Sequence, residues 1–423
     1  MNGSASKWTR RDFLGRAAMT GAMATGIATA SRGAVAANDR LGVGVIGTGG
    51  RGNSLLEALQ YIQDNDRTIE IRSVCDVYRP RLDRTAQRYG AKAFMDYRDL
   101  LADPGTDAVV IATPDHLHGY QAIDAIRAGK GVFCEKPVTH WRQFELTKQL
   151  AKEAADAGAI FQCGTQGMSD SAWKQMGQLV REGLIGQPIH AECGYFRVGD
   201  FGEAGMSIDD PDARPGPDLD WEAFLGDSPA RDFTVSRFFR WRMYEDYAGG
   251  PCTDLFPHSL TPVLHILDAG LPEVAVATGG MYRYTAREVP DTFNMLADYP
   301  GRFTVAVLGT QGNNYQGTER RGAGHRVPVI RGWEGALTVE GNAIQFIPAQ
   351  GSDKTARTIP IEESENTLHF LQEFVACCRN GDPNTSSPID LAYRVQTTLI
   401  MAYLSLREGK VVRFDHETET ILL

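Results

Sequence analysis

Apolar runs alternate with amphipathic segments along the first part of this 423-residue chain. The runs are four to seven residues long, as expected of strands that are buried on both faces. They are Leu41–Ile46, Ile69–Cys75, Ala108–Ala112, Gly131–Cys134 and Ala159–Cys163. Helical patterns lie between them at Asn53–Gln63, Leu117–Ala128 and Arg142–Ala157. Repeated strand–helix units of this length predict a parallel sheet that is covered by helices.

The pattern changes after residue 164. A helical segment at Ala172–Glu182 precedes several strand-like segments that glycine and proline separate, and two more helical segments follow. The strand-like segments are Pro188–Phe196, Glu273–Tyr284, Asn294–Tyr299, Thr304–Leu308 and Ala336–Ile347. The later helical segments are Thr367–Arg379 and Leu391–Arg407. We expect a Rossmann-type α/β domain over 38–164 and an α+β domain with a large, mostly antiparallel sheet over 165–423.

The first strand leads into the sequence Gly47-Thr48-Gly49-Gly50-Arg51-Gly52, which fits G-x-G-x-x-G between a strand and a helix. In such a turn Gly47 permits the bend, Gly49 lets backbone N–H groups approach a pyrophosphate, and Gly52 lets the helix pack on the strand. The helix dipole then points its positive end at the phosphates. We expect these six residues to bind a dinucleotide; the alternative is a glycine-rich turn without a ligand.

The second strand is followed by Asp76, 24 residues beyond Gly52. A carboxylate at this point accepts hydrogen bonds from the adenosine ribose and repels a 2′-phosphate. Asp76 therefore favours NAD over NADP as the cofactor. Arg79 and Arg81 lie close by and could weaken that preference, so NADP stays possible.

The first 36 residues resemble a twin-arginine (Tat) export signal. Arg10 and Arg11 precede Phe13-Leu14, a weakly apolar stretch follows, and Ala34-Val35-Ala36 offers small residues at the cleavage positions. A disordered basic N-terminus would explain neither the apolar stretch nor the Ala-x-Ala sequence. We therefore expect residues 1–36 to be a signal peptide and the mature protein to be periplasmic.

The rest of the chain is acidic. Residues 1–36 carry five Lys/Arg and one Asp, so 38 basic and 52 acidic residues remain. This balance argues against nucleic acid and anionic membrane surfaces as partners, and no apolar run is long enough to span a bilayer. The seven cysteines show no C-x-x-C and no metal-ligand spacing, so we expect no metal site and leave the disulfide state open.

Two motifs leave neighbouring strands at the edge where an open α/β sheet binds its ligands. Glu135-Lys136-Pro137 follows one of them, and Pro137 disfavours a helical conformation for Lys136. The other is Thr113-Pro114-Asp115-His116-Leu117-His118. We expect Thr113, Pro114, His116, His118, Glu135 and Lys136 to line the cofactor cleft. The alternatives are a solvated Glu-Lys pair and histidines that cap the following helix.

A second group of candidates lies in the sequence Asp254-Leu255-Phe256-Pro257-His258, which two glycines precede. Asp254 and His258 are four residues apart and would share one face of a helix. A carboxylate beside an imidazole suits general acid–base catalysis near neutral pH, and the alternative is a structural pair. His265 lies seven residues further on roughly the same face, but without more ligands nearby it does not indicate a metal site.

Candidate substrate contacts lie just before this pair. Arginine and aromatic side chains between Arg237 and Tyr244 suit a sugar ring, or an acidic sugar, and we name Arg240, Trp241 and Tyr244 among them. The alternative is a packed domain junction. Gln166, after the strand that ends at Cys163, is a further candidate. The segment Gly199–Asp220 is rich in Asp, Pro and Gly and is predicted to be a long loop.

Together these motifs resemble the Gfo/Idh/MocA family, which includes glucose–fructose oxidoreductase and inositol dehydrogenase. The resemblance implies an open-faced C-terminal sheet that commonly forms dimers or tetramers, and hydride transfer at a sugar or cyclitol carbon. It also implies that Lys136 hydrogen-bonds the reacting hydroxyl and that His258, or the Lys136/Asp254 pair, moves its proton. Thr261-Pro262 replaces an aspartate that is often found after the histidine, so the substrate stays open.

Three functions are consistent with these residues. The first is a periplasmic sugar or cyclitol oxidoreductase with a retained cofactor, because free dinucleotide is scarce outside the cytoplasm. The second is a redox-neutral glycosidase or lyase that oxidises C3 of a sugar transiently. The third is a dinucleotide-binding sensor without catalysis, against which Lys136, Asp254 and His258 count.

Overall fold

The computed structural model describes residues 40–199, 206–315, 320–321 and 325–423. The predicted signal peptide, residues 1–36, lies outside these ranges, as does part of the predicted loop Gly199–Asp220.

The first domain is built on a parallel sheet of six described strands. Its strand order is β3-β2-β1-β4-β5-β6, the arrangement of a dinucleotide-binding Rossmann sheet. The strands are β1 (Leu41–Ile46), β2 (Ile69–Cys75), β3 (Lys92–Phe94), β4 (Ala108–Ile111), β5 (Gly131–Cys134) and β6 (Phe161–Cys163). The helices are α1 (Gly50–Tyr61), α2 (Arg79–Tyr89), α3 (Tyr97–Ala102), α4 (Asp115–Arg127) and α5 (Phe144–Ala157).

Alternate residues of these strands pack into two separate cores. Val110 of β4 belongs to the cluster that contains Leu55 of α1, whereas its neighbour Val109 packs with Ile123 of α4. All four residues are fully buried or nearly so. Because both faces of the sheet are covered, the strands are apolar runs without alternation, as the sequence predicted.

The second domain contains a mixed, mostly antiparallel sheet. Its described strands follow the order β15-β14-β13-β12-β7-β10-β9-β8-β16-β17, and β11 pairs with β12. The strands are β7 (Pro188–Phe196), β8 (Val274–Gly280), β9 (Thr292–Tyr299), β10 (Phe303–Thr310), β11 (Arg320–Arg321), β12 (His325–Gly332), β13 (Gly335–Glu340), β14 (Ala343–Pro348), β15 (Arg357–Pro360), β16 (Val412–Asp415) and β17 (Thr420–Leu422). Only the β7–β10 pair is parallel among these. The predicted fold class is confirmed in both domains.

Helices pack on one face of this second sheet. Phe293 of β9, for example, is buried in the same cluster as Leu260 and Leu399. The helices of this part of the chain are α6 (Ser171–Arg181), α7 (Trp221–Leu225), α8 (Val235–Phe239), α9 (Pro251–Asp254), α10 (Phe256–Leu267), α11 (Thr367–Asn380) and α12 (Ile389–Glu408). On the opposite face Leu296 of β9 is 47% exposed, so the residues that the structure describes leave this face of the sheet open.

The C-terminal part of the chain returns to the first domain. Phe133 of β5 packs edge-on against Phe370 and Phe374 of α11, with ring centroids 6.0 and 5.8 Å apart. The backbone N–H of Cys163, in the edge strand β6, donates to Ser387 O at 2.8 Å. Residues from the far end of the sequence therefore help to bury the N-terminal sheet.

Candidate active site

One cleft of about 1090 Å³ runs from the carboxyl ends of the first sheet to the second domain. Its walls include the turn after β1, the turn after β4 and the residues that follow β5, together with residues near α9 and α10. The cleft thus starts at the point where the strand order of the Rossmann sheet reverses, which is where such sheets bind dinucleotides.

The glycine-rich turn has the shape that a dinucleotide requires. Gly47 has a positive φ of +89°, and a Cβ built there would lie 2.8 Å from the carbonyl carbon of Ala112 at the end of β4. A Cβ on Gly52 would lie 1.9 Å from Gly47 O, so helix α1 begins as close to the strand as the backbone permits. By contrast, a Cβ on Gly50 would meet nothing within 4 Å. Gly49, Gly50 and Arg51 line the cleft, where backbone N–H groups of the first helical turn can bind phosphate.

Asp76 stands at the end of β2 beside this turn. Its Oδ2 accepts hydrogen bonds from the backbone N and the Oγ1 of Thr48, both at 2.9 Å, and its Oδ1 accepts from Tyr78 N at 3.0 Å. These bonds fix the carboxylate where it faces the cleft. The position fits the ribose contact that the sequence predicted, and the residues present fit an NAD-type dinucleotide.

Arg51 crosses the cleft from the glycine-rich turn. Its guanidinium pairs with Glu135 Oε1 at 2.7 Å and also contacts Gln166 Oε1 at 3.5 Å. The structure therefore brings three predicted residues together from three distant parts of the sequence. They join the cofactor end of the cleft to the region where a substrate would lie.

Lys136 and Asp254 form the centre of the candidate site. Lys136 Nζ donates to Asp254 Oδ1 at 3.0 Å and to Asp254 O at 2.8 Å, and the two side chains are only 10% and 16% exposed. Arg197 contacts the other carboxylate oxygen at 3.1 Å, and Arg242 Nε lies 3.4 Å from Oδ1. Burial opposes the charge on Asp254, but these three cations outweigh it and hold the pKa of the carboxyl well below its ordinary value.

His258 lies one turn beyond Asp254 but not on the same helix. The helical structure is interrupted at Leu255, which separates α9 from α10. His258 lies in the first turn of α10. Both residues still line the cleft, together with Tyr195, whose ring centroid is 6.3 Å from that of His258. The prediction that Asp254 and His258 share one helix was wrong. The two residues nevertheless line the same cleft, from two consecutive helices.

A further carboxylate lies behind this centre. Asp115, at the start of α4, is 4% exposed and accepts a hydrogen bond from Thr253 Oγ1 at 3.2 Å. Burial raises the pKa of Asp115 to about 7, although Arg242 and Lys136 act in the opposite direction. Nothing in the sequence singles out this aspartate, because its partner Thr253 is 138 residues away.

Several predicted site residues do not line the cleft. His116 Nε2 contacts Phe224 O at 2.7 Å, and the two ring nitrogens of His118 contact Pro137 O and Thr113 O at 2.6 and 2.7 Å. Burial lowers the pKa of both histidines, that of His116 to about 4. His118 thus holds in place the loops that carry Thr113, Pro114 and Lys136, which do line the cleft, whereas His116 is anchored to α7. The prediction that both histidines face the cofactor was therefore wrong.

Two of the proposed substrate contacts also point elsewhere. Arg240 Nε donates to Met206 O at 3.2 Å, and Tyr244 OH hydrogen-bonds Ser236 beneath the guanidinium of Arg237. Trp241 does line the cleft, next to Arg242, whose guanidinium lies 4.1 Å from the Trp241 ring centroid. The packed-junction alternative thus holds for Arg240 and Tyr244. The residues missed here, Arg197 and Arg242, reach Asp254 only through tertiary folding.

In the part of the chain that the structure describes, no group of three or more His, Cys, Asp or Glu side chains could hold a metal ion. Within the same residues, no helix combines the length and the apolar character needed to cross a membrane.

Residues 41–165 match the Gfo/Idh/MocA family, an oxidoreductase family with an NAD-binding Rossmann fold. The match lies within the Rossmann domain and does not extend to the second domain. The match confirms the oxidoreductase class and the NAD cofactor that the glycine-rich turn and Asp76 predicted. The matched residues include the glycine-rich turn and Asp76, which line the cleft where it begins.

Similar proteins extend the comparison beyond the Rossmann domain. The scyllo-inositol 2-dehydrogenase (NAD(+)) of Bacillus subtilis is 25% identical over 350 residues, which cover 81% of this chain and 88% of that protein. Inositol 2-dehydrogenase 1 of Saccharopolyspora erythraea is 32% identical over 153 residues, which cover 36% of this chain and 44% of that protein. A structure of levoglucosan dehydrogenase with NADH and levoglucosan shares the fold, with a TM-score of 0.65, 18% identity and coverage of 89% of this chain and 99% of that one.

Proposed function

We propose that this protein is an NAD-dependent oxidoreductase that acts on a hydroxyl-bearing carbon of a sugar or cyclitol. The observation that carries the proposal is the buried Lys136–Asp254 pair, which lies in the same cleft as the glycine-rich turn. The names of the similar proteins, which include inositol dehydrogenases and a levoglucosan dehydrogenase, support the substrate class.

Each residue of the pair has a distinct task in such a reaction. Hydrogen bonds to the backbone O and to Oδ1 of Asp254 hold Lys136 Nζ in position. From there Lys136 donates a hydrogen bond to the substrate oxygen. Asp254 is a poor proton acceptor because its pKa is held far below neutrality, so its role is to orient the lysine. The imidazole of His258, in the same cleft, takes up the hydroxyl proton. NAD held by the glycine-rich turn and Asp76 would supply the hydride acceptor for the carbon that bears this hydroxyl.

We further propose that the protein works in the periplasm with a cofactor that stays bound. The support is the sequence of residues 1–36, which resembles a signal for the export of folded proteins. A folded protein can carry a dinucleotide across the membrane only if dissociation is slow. We also propose a homodimer or homotetramer, which the open face of the second sheet supports.

The test is a substrate panel with a matched lysine variant. Purified protein that has been loaded with NAD is incubated with sugars, cyclitols and aryl glycosides, and reduced cofactor is followed by its absorbance. We expect turnover on at least one polyol and a loss of at least ~100-fold in Lys136→Met, with NAD binding retained. Lys152→Met, on an exposed part of α5, is the control and should behave like the wild type.

Other outcomes separate the alternatives. Release of aryl alcohol without net reduction of NAD would replace the dehydrogenase by the redox-neutral glycosidase. Binding of NAD without turnover of any compound would favour the sensor. Near-normal turnover by folded Lys136→Met would remove the lysine from the mechanism.

A further inference from the structure

A segment of the second domain lies across the adenosine end of the cleft. We call residues 206–220 the strap. Its backbone joins the turn between β2 and α2, where Arg79 N donates to Asp218 O and Asp220 N donates to Val77 O, both at 2.9 Å. An antiparallel bridge between Tyr78 and Leu219 lies between these bonds. The turn that follows Asp76 is therefore paired with a segment more than a hundred residues away.

Side chains strengthen this attachment. Arg81, on α2, donates from Nε and Nη2 to Asp209 Oδ2 at 3.1 and 2.8 Å. The two side chains are 17% and 24% exposed, so the ion pair is partly protected from solvent. Tyr78 OH also hydrogen-bonds Asp210 at 3.3 Å. Below the ion pair, Tyr78 and Leu219 are buried in one aromatic cluster with Phe238.

Arg81 lies beside Asp76 and the glycine-rich turn, the two parts of the expected dinucleotide site. Its Nη1 is 3.9 Å from Asp76 Oδ2 and 3.4 Å from the position of a Cβ on Gly49. Asp209, Ser207 and Met206 of the strap line the same cleft as Asp76 and Gly49. The strap thus covers the site of the adenosine ribose, and Arg81 connects Asp209 of the strap with Asp76 of that site.

We propose that the strap completes the dinucleotide site and slows the release of the cofactor, and that Asp209 is the positioning residue that holds it closed through Arg81. The proposal rests on the proposed function, since it concerns the same NAD site. For NAD to leave, the strap has to move away from the β2–α2 turn, and the Arg81–Asp209 pair has to break or stretch. Part of the barrier to dissociation is then supplied by a charged hydrogen bond that does not touch the cofactor.

The test measures the release of NADH from the loaded protein by the loss of its fluorescence after mixing with excess NAD. We expect Asp209→Asn to release NADH about tenfold faster than the wild type, the effect of losing one charged hydrogen bond. Asp212→Asn removes the same charge from an exposed position of the strap and should leave the rate unchanged. Tyr78→Phe, which deletes the bond to Asp210 without changing charge, should give a smaller acceleration.

The dependence of the release rate on salt distinguishes an electrostatic role of the Arg81–Asp209 pair from a general destabilisation of the strap by the substitution. In about 1 M NaCl the ratio of the release rates of Asp209→Asn and the wild type should fall, but not to one, because a partly buried pair is screened less than an exposed one. Equal rates for the wild type and Asp209→Asn at low salt would overturn the proposal while leaving the NAD-dependent function intact. A ratio between them that does not change with salt would also overturn it. Failure of the wild type to bind NADH at all would overturn the proposed function as well.

Discussion

At the residue scale, two buried aspartates behind the same cleft have opposite electrostatic states. Asp254 is surrounded by Lys136, Arg197 and Arg242, and its pKa is held well below the ordinary value. The carboxylate of Asp115 accepts a hydrogen bond from the hydroxyl of Thr253, and burial raises its pKa to about 7. One group is a fixed anion, and the other is neutral in mildly acidic solution.

The raised pKa of Asp115 predicts a dependence of stability on pH. Between the unfolded pKa of about 3.9 and the folded value, the folded protein binds more protons than the unfolded chain, so the free energy of unfolding falls as pH rises. From about pH 5 to about pH 8 this loss is on the order of 3 kcal/mol, and at higher pH it does not grow further. Asp115→Asn removes this titration. The unfolding free energy of the variant minus that of the wild type should therefore be higher at pH 8 than at pH 5.

Thermal unfolding at about pH 5 and about pH 8 measures this difference. Asp212→Asn, at an exposed position, is the control and should differ from the wild type equally at both pH values. The same behaviour for Asp115→Asn would show that Asp115 titrates at its ordinary pKa.

The sequence predicted the central catalytic candidates but not their surroundings. Lys136 could be selected from its position at a strand end, and Asp254 and His258 from their spacing, whereas their meeting in one site was implied only by the family resemblance. Arg197 and Arg242 could not be selected, because each lies on a different element and meets Asp254 only in the folded chain. His116 and His118 were misassigned because a strand-end position alone does not say whether a ring faces the cleft or a carbonyl oxygen.

At the element scale, the junction of β1 and α1 depends on Gly52. A Cβ there would overlap Gly47 O, so Gly52→Ala has to push α1 away from the strand. We expect a loss of about 3 kcal/mol in unfolding free energy, typical of overpacking, together with weaker NAD binding. Gly50→Ala is the matched control, because its Cβ meets nothing within 4 Å and alanine is the better helix former.

Thermal unfolding of the protein without NAD compares the two variants. A lower midpoint for Gly52→Ala alone is the expected result. Equal midpoints for both variants would mean that α1 can shift without cost and that Gly52 is not needed for packing.

The elements that the sequence predicted best are those with continuous apolar runs. Strands β2, β5 and β7 have the predicted bounds, whereas Ala336–Ile347 forms two strands, β13 and β14, joined by a turn at Gly341 with φ +56°. The buried positions change phase at that turn, from Leu337 and Val339 to Ile344 and Phe346, and this shift marks it. The short strands β15 to β17 carry too few buried residues to be recognised from a pattern.

At the scale of the whole molecule, the open face of the second sheet predicts self-association. Across this face, Leu296 of β9 lies between Val276 of β8 and Ala306 of β10 in the strand register. Leu296 is 47% exposed, and a charge in this apolar row should disfavour contact with a second copy. We expect the wild type to be a dimer or tetramer and Leu296→Glu to be monomeric.

Light scattering coupled to size-exclusion chromatography measures the molecular mass of the wild type and of Leu296→Glu. Tyr61→Glu, at a 50% exposed position of α1 in the other domain, is the control and should keep the wild-type mass. A monomeric wild type would contradict the prediction, as would a Leu296→Glu protein of unchanged mass.

The return of the C-terminal part of the chain to the first sheet has a consequence for the order of folding. During synthesis the Rossmann strands leave the ribosome first, but the core around Phe133 lacks Phe370 and Phe374 until α11 has been translated. The edge strand β6 likewise waits for Ser387. The domain that is made first is therefore completed only when nearly the whole polypeptide has been made, and a nascent chain that stalls before α11 exposes an apolar sheet to chaperones and proteases.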